Sequence, residues 1–105
     1  MSRYFADVPA CTVEQAFADA GHVLSLESGD VTLFFGYDRP LAIYFLDVED
    51  IDGEAYHEFG YGGRGFVPGK RLTKGQMLDV LYVLVDQTPS ELAMFRDAIV
   101  MDLPV

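Results

Sequence analysis

Cysteine, histidine, basic residues and long apolar runs are all scarce in this chain, and each shortage removes a class of protein. A single cysteine, Cys11, makes no intrachain disulfide, so a secreted disulfide scaffold is excluded. The two histidines, His22 and His57, stand at no metal-ligand spacing from each other or from Cys11, so no zinc set is assembled. The longest nearly uncharged apolar run, residues 41–46, is far too short to cross a bilayer. The opening residues lack the charged-then-apolar pattern of a secretory signal, so the expected location is cytoplasm, the cell's own or a host's. Only 7 Lys and Arg face 17 Asp and Glu, a formal net charge of −10. Such a field repels nucleic acid and anionic membrane surfaces, and the partners it favours are basic.

Apolar material is what the chain has in plenty. Hydrophobic residues make up 50% of it and aromatics 13%, which is ample for a core. Its 105 residues fit one domain, 1–105. Thr12, with Gln15 three positions on, reads as a capping box opening a short helix. Val13, Ala16, Phe17 and Ala20 form its apolar stripe, and Gly21 sits where a C-terminal glycine belongs.

Four strands are expected next. Residues 22–27 alternate Leu24 and Leu26 with Ser25 and Glu27, and Ser28, Gly29 and Asp30 supply a tight hairpin connection to residues 31–37. After a turn at Asp38, Arg39 and Pro40, residues 41–49 are apolar on both faces at first, which suits a central strand. Residues 54–61 alternate Glu54, Tyr56 and Glu58 with Ala55, His57 and Phe59, one face acidic and the other apolar. Leu72, Thr73 and Gln76 then give staple, cap and box for a second helix carrying Met77, Leu78, Leu81, Leu84 and Val85. Thr88, Pro89, Ser90 and Glu91 open a third, lined by Leu92, Phe95, Ile99 and Leu103 and ended by Pro104. The expected fold class is α+β: a short N-terminal helix, a four-stranded antiparallel meander, and two C-terminal helices packed on one face.

Between Pro40 and Gly63 there is no Lys or Arg, while Asp47, Glu49, Asp50, Asp52, Glu54 and Glu58 fall there. Residues two apart in a strand lie about 6.6 Å apart on one face, close to two phosphate steps of about 3.4 Å. Such a row of carboxylates can imitate phosphates or dock on a basic surface. The same stretch fails as a calcium loop. With Gly53 at position six, the first ligand is Val48 and the twelfth Phe59.

The run Gly60-Tyr61-Gly62-Gly63-Arg64-Gly65 matches G-x-G-x-x-G literally. It opens into no helix within a βαβ unit, and the phosphate-loop reading of residues 65–71 meets Arg64 and Arg71 where Gly and Ser or Thr are required. What remains is a glycine-rich loop holding Arg64, Lys70 and Arg71, with Lys74 beyond, which gives a bipolar molecule. Tyr61 and Phe66 beside it are candidate anchors for a contact. For nucleophilic catalysis, Cys11 precedes the first helix and His22 follows its far end, roughly 12 Å away, too far for a hydrogen bond. His57, inward on the last strand, is the other base available to Cys11.

No motif calls for a cofactor or a metal. The expected function is non-enzymatic: stoichiometric neutralisation of a basic protein, such as a nucleic-acid-binding protein or a toxin, without direct nucleic-acid or membrane binding. Small size and acidity are shared with immunity proteins, antitoxins and phage anti-defence proteins, including anti-CRISPR proteins and DNA mimics, by class and not by descent. The expected partner-binding residues are Asp47, Glu49, Asp50, Asp52, Glu54 and Glu58, with Tyr56, Tyr61, Arg64 and Phe66 as neighbours. Two readings compete: a homo-oligomeric structural or ligand-binding domain, a homodimer in the simplest case, and a small enzyme using His57 or Cys11.

Overall fold

The computed structural model describes residues 2–63, 69–86 and 90–104 of the chain. Eight elements follow one another: β1 (Ser2–Pro9), α1 (Ala10–Asp19), β2 (Asp30–Asp38), β3 (Ile43–Asp50), β4 (Ala55–Gly62), β5 (Lys70–Arg71), α2 (Lys74–Leu84) and α3 (Ser90–Val100). The fold is α+β, as expected, but the sheet has five strands, in the order β1-β2-β3-β4-β5. The first four are antiparallel neighbours, and the two-residue β5 runs parallel to β4.

The extra long strand is β1, which alternates Tyr4, Ala6 and Val8 toward the helices with Arg3, Phe5 and Asp7 away from them. It takes the place beside β2 that sequence reasoning gave to residues 22–27. Those residues form no strand, and Ser28 and Gly29 form no hairpin. Leu24 and Leu26 do pack half-buried against the core, so the alternation was real. It did not specify a backbone partner. Leu26 N–H goes to the Glu14 carboxylate (2.9 Å), and Glu27 and Ser28 N–H go to the Asp50 carboxylate (2.9 Å each). Side chains on a helix and a strand end do here what a neighbouring strand would have done.

All three helices lie on one face of the sheet. Val13, Ala16 and Phe17 of α1, Met77, Val80, Leu81 and Leu84 of α2, and Leu92, Phe95 and Ile99 of α3 share a core with Val8, Leu33, Phe35, Leu46, Val48 and Phe59. Phe17 meets Phe59 at 4.4 Å between ring centroids, and Phe35 meets Phe95 at 5.2 Å. The α2 capping box is formed in both directions, Gln76 N–H to Thr73 Oγ1 (3.1 Å) and Thr73 N–H to Gln76 Oε1 (2.9 Å). The box read at Thr12 is not formed. The helix starts three residues earlier, with Pro9 in place of Thr12 at its N-cap, and Gln15 bonds Asp19 instead. A proline just before the first turn needs no N–H and gives the strand a stop.

Gly21 closes α1 as expected. Its φ is +88°, Gly21 N–H reaches Ala18 O and His22 N–H reaches Phe17 O. The same reversal ends α3 at Asp102 (φ 54°), where Asp102 N–H bonds Ile99 O and Leu103 N–H bonds Ala98 O. The helix therefore stops before Pro104, and Leu103, expected in the apolar stripe, is 49% exposed. The expected start of α3 at Thr88 and Pro89 lies outside the described residues.

Asp50 ties two connections together. Its carboxylate accepts Glu27 N–H, Ser28 N–H, the Ser28 hydroxyl (2.5 Å) and Gly53 N–H, and the residue is only 1% exposed. A Cβ on Gly53 would come within 2.5 Å of that carboxylate, which is why a glycine fits there. The four donors, the Ser28 hydroxyl foremost, hold the Asp50 carboxyl down at about 2, below the ordinary 3.8. A depressed carboxyl contributes stability above its unfolded value and loses it as pH falls through the folded one. Asp50→Asn therefore lowers the thermal midpoint at pH 7, while Asp52→Asn, at an exposed side chain, scarcely moves it. In thermal melts, the wild-type and Asp50→Asn curves converge between pH 3.8 and about 2. A gap of unchanged size at pH 2 would show that the tether does not depend on ionisation.

Candidate functional site

With the helices on one side, no helix of the described residues lies on the other side of the sheet. Pairing and pleat place on it Arg3, Phe5 and Asp7 from β1, Thr32, Phe34, Gly36 and Asp38 from β2, Ile43, Phe45, Asp47 and Glu49 from β3, and Tyr56, Glu58, Gly60 and Gly62 from β4. Asp7, Asp38, Asp47, Glu49 and Glu58 share this face of the four long strands with one base, Arg3, while Arg71 of β5 stands beside Gly60 at its far edge. Aromatics cross the middle: Phe5 with Phe34 (6.4 Å) and Phe34 with Tyr56 (6.2 Å). Phe5 is 72% exposed and Tyr56 43%. Phe45 pairs with Gly36 on one side and Gly60 on the other, so no side chain stands beside it on either adjacent strand. A depression of about 160 Å³ opens there, lined by Arg3, Asp38, Leu41, Ile43, Phe45, Asp47, Glu58 and Phe59.

One chain of contacts organises the face. The Arg3 guanidinium lies over the Phe34 ring (4.6 Å) and donates to the Tyr56 hydroxyl (3.1 Å), which donates to Asp47 (2.9 Å). Asp47 is 9% exposed and sits directly opposite Glu58. Burial pushes its carboxyl up to about 6, Glu58 adds to the rise, and the Tyr56 hydroxyl, Arg3 and the Phe59 N–H offset part of it. Burial and the bond to Asp47 push the Tyr56 phenol up to about 12.

The expected site residues divide. Asp47, Glu49, Tyr56 and Glu58 come together on the helix-free face. Asp52 and Glu54 sit exposed in the β3–β4 turn at one end of it. Asp50 points the other way and is consumed as a tether. Tyr61 also belongs to the helix side, where its hydroxyl donates to Asp102 (3.3 Å). Arg64 and Phe66 lie outside the described residues. Of the basic cluster, Lys74 pairs with Asp102 (2.8 Å) and Arg71 donates to Gly62 O (2.6 Å), so both help to hold the fold. Cys11 is exposed on α1, and His57 faces the helix layer with its Nε2 buried. No hydrogen bond among the described residues joins Cys11 to a histidine.

Sequence reasoning did not single out Arg3, Phe5, Asp7, Phe34 and Phe45. The first three were signalled by the alternation of residues 3–8. Phe34 and Phe45 were readable only as members of strands, because their neighbours depend on register. Among the described residues no helix is long and apolar enough to cross a membrane, and no cluster of three metal-ligating side chains occurs. No protein-family model, curated protein or solved structure matches the chain.

Asp47 carries a pH signature of this face. Its folded value is raised, so its contribution to stability is fully present below 3.8 and is lost as pH rises through about 6. Urea denaturation of Asp47→Asn, with the Tyr56 hydroxyl still bonded, is flatter than that of wild type between pH 4 and 7. An unchanged slope would place the Asp47 carboxyl in water.

Proposed function

We propose that this chain is a small non-enzymatic inhibitor that neutralises a basic protein in the cytoplasm of its own or a host cell, covering it with the helix-free face of the sheet. The observation that carries this reading is the composition of that face: exposed aromatics in the centre, with Asp7, Asp38, Glu49 and Glu58 around them and Asp47 beneath. Partly exposed aromatic rings are the side chains on which protein interfaces concentrate their energy. The carboxylates set the sign of the partner and speed its approach. The net charge of −10 extends the same field beyond the face.

Within the acidic class, the reading favours a protein-surface binder of the immunity-protein, antitoxin or anti-CRISPR kind over imitation of a phosphate track. Asp47 and Glu49 have the required spacing, but Asp50 is turned inward and Phe34, Phe45 and Tyr56 interrupt the row. A DNA mimic needs charge at every step. This face alternates charge with rings.

The test compares two charge reversals of equal size. Glu49→Lys with Glu58→Lys alters the face. Asp79→Lys with Asp86→Lys alters exposed positions on and just after α2. In pull-downs from source or host lysate, read by mass spectrometry at rising salt, a basic protein held by wild type and by the α2 variant is lost from the face variant. The expected weakening is roughly tenfold or more, the size of a like-charge encounter at a docked rim. Equal loss from both variants would mean that only the overall field matters. Retention by the face variant would place the binding surface elsewhere.

A further inference from the structure

β1 forms one edge of the sheet, and its register with β2 is unbroken from Ser2 to Pro9, without a bulge. No hydrogen bond among the described residues reaches β1 from the side away from β2. An edge strand leaves every second N–H and C=O pointing outward, and soluble proteins usually blunt such an edge with charged side chains (lysine above all), proline, a bulge or a very short strand. β1 is eight residues long, with no lysine, no bulge and no proline before its last position, Pro9, and its two charges, Arg3 and Asp7, are opposite in sign and so do not bar a second copy.

We infer that β1 pairs antiparallel with β1 of a second copy, about a two-fold axis at Phe5, to give a symmetric dimer with one continuous sheet. The strand is self-complementary in that register alone. Centred on Phe5, it sets Arg3 opposite Asp7 of the copy, Asp7 opposite Arg3, Phe5 against Phe5, and Tyr4 against Ala6. Opposite charges directly across a pair of strands stabilise it, as do paired aromatics. Centring on Tyr4 sets Arg3 against Phe5, and centring on Ala6 sets Phe5 against Asp7. Neither pairs opposite charges. A slip of one residue would put outward side chains opposite inward ones, which the pleat forbids. The axis makes the contact isologous and closed, so it ends at two copies.

Two further observations fit this occupant. Phe5 is the most exposed aromatic of the described residues, at 72%, and the axis places it against its own copy. Arg3 is the only base on the helix-free face of the four long strands, and it lies at this edge. In the monomer it donates to Tyr56 (3.1 Å). Pairing exchanges that neutral acceptor for a carboxylate, a stronger hydrogen bond. The dimer does not depend on what the helix-free face binds.

Sedimentation velocity on the full chain across micromolar to submillimolar concentration reads the equilibrium. Wild type is expected to move from monomer to dimer, and Arg3→Asp and Asp7→Arg are each expected to raise the dissociation constant at least tenfold. The equimolar mixture of these two variants is expected to dimerise again, because each then finds the opposite charge in the other. Circular dichroism checks that each variant is folded. A second measurement needs no charge change. With Cys11→Ser as background, Phe5→Cys forms an intermolecular disulfide under mild oxidation and Asp7→Cys does not, because only residue 5 meets itself on the axis. A wild-type chain that stays monomeric throughout would overturn the inference. So would a dimer indifferent to both charge variants, or cross-linking at residue 7 equal to that at residue 5.

Discussion

The pleat of four long strands pins each side chain to one of two faces, and the core occupies only one of them. Val8, Leu33, Phe35, Leu46, Val48 and Phe59 all turn the same way, and α1, α2 and α3 all settle there because only there can their apolar stripes be buried together. Every notable feature of the molecule follows from that one-sidedness. The opposite residues of the same strands meet no helix among the described residues. They build a surface with the small-and-large variation of a core (Gly36, Phe45, Gly60) and the charge of an exterior. Ile43 is nearly inaccessible and Phe45 half-covered there without any helix above them.

The same rule sorts the acids of β3 into different chemistries. Asp47 and Asp50 are three positions apart, so they emerge on opposite faces. On the inner side Asp50 receives four hydrogen bonds from a loop and a turn, which favour its charged form. On the outer side Asp47 is buried beside Glu58 with one phenol and one amide for company, which disfavours it. One carboxylate is spent on the fold. The other is kept under electrostatic stress on the surface proposed to bind, and a cationic group arriving there relieves that stress. Carboxyls perturbed in this way gather at functional sites, and structural networks produce them as well.

How far this was legible from sequence depends on which physical signal each part uses. The helix stripes (Leu103 apart), the Thr73–Gln76 box, the glycine at 21 and the central strand are local patterns, and the chain folds as they say. The division of Tyr56 and Glu58 from His57 and Phe59 was equally local. Residues 22–27 have strand-like alternation and are not a strand, because alternation reports burial at every second residue and not where the backbone bonds go. Glu14 and Asp50, twelve and more than twenty positions away, supply those partners. β1 took the vacated place with a pattern no weaker, Arg3-Phe5-Asp7 against Tyr4-Ala6-Val8. Choosing between two short alternating segments for one position beside β2 requires knowing the pairing. The contact from Arg3 to Tyr56 spans the whole sheet and has no sequence signature.

The face and the edge are also linked through one side chain. Arg3 covers Phe34 and holds Tyr56, which in turn holds Asp47, so it lies across the acidic face as the only local counter-charge from the four long strands. A contact that draws Arg3 toward the edge strips that counter-charge from the centre. It leaves Phe34 uncovered and the field of Asp47, Glu49 and Glu58 less compensated. The proposed pairing at β1 and the proposed capture of a cationic partner thus draw on one side chain, although neither requires the other.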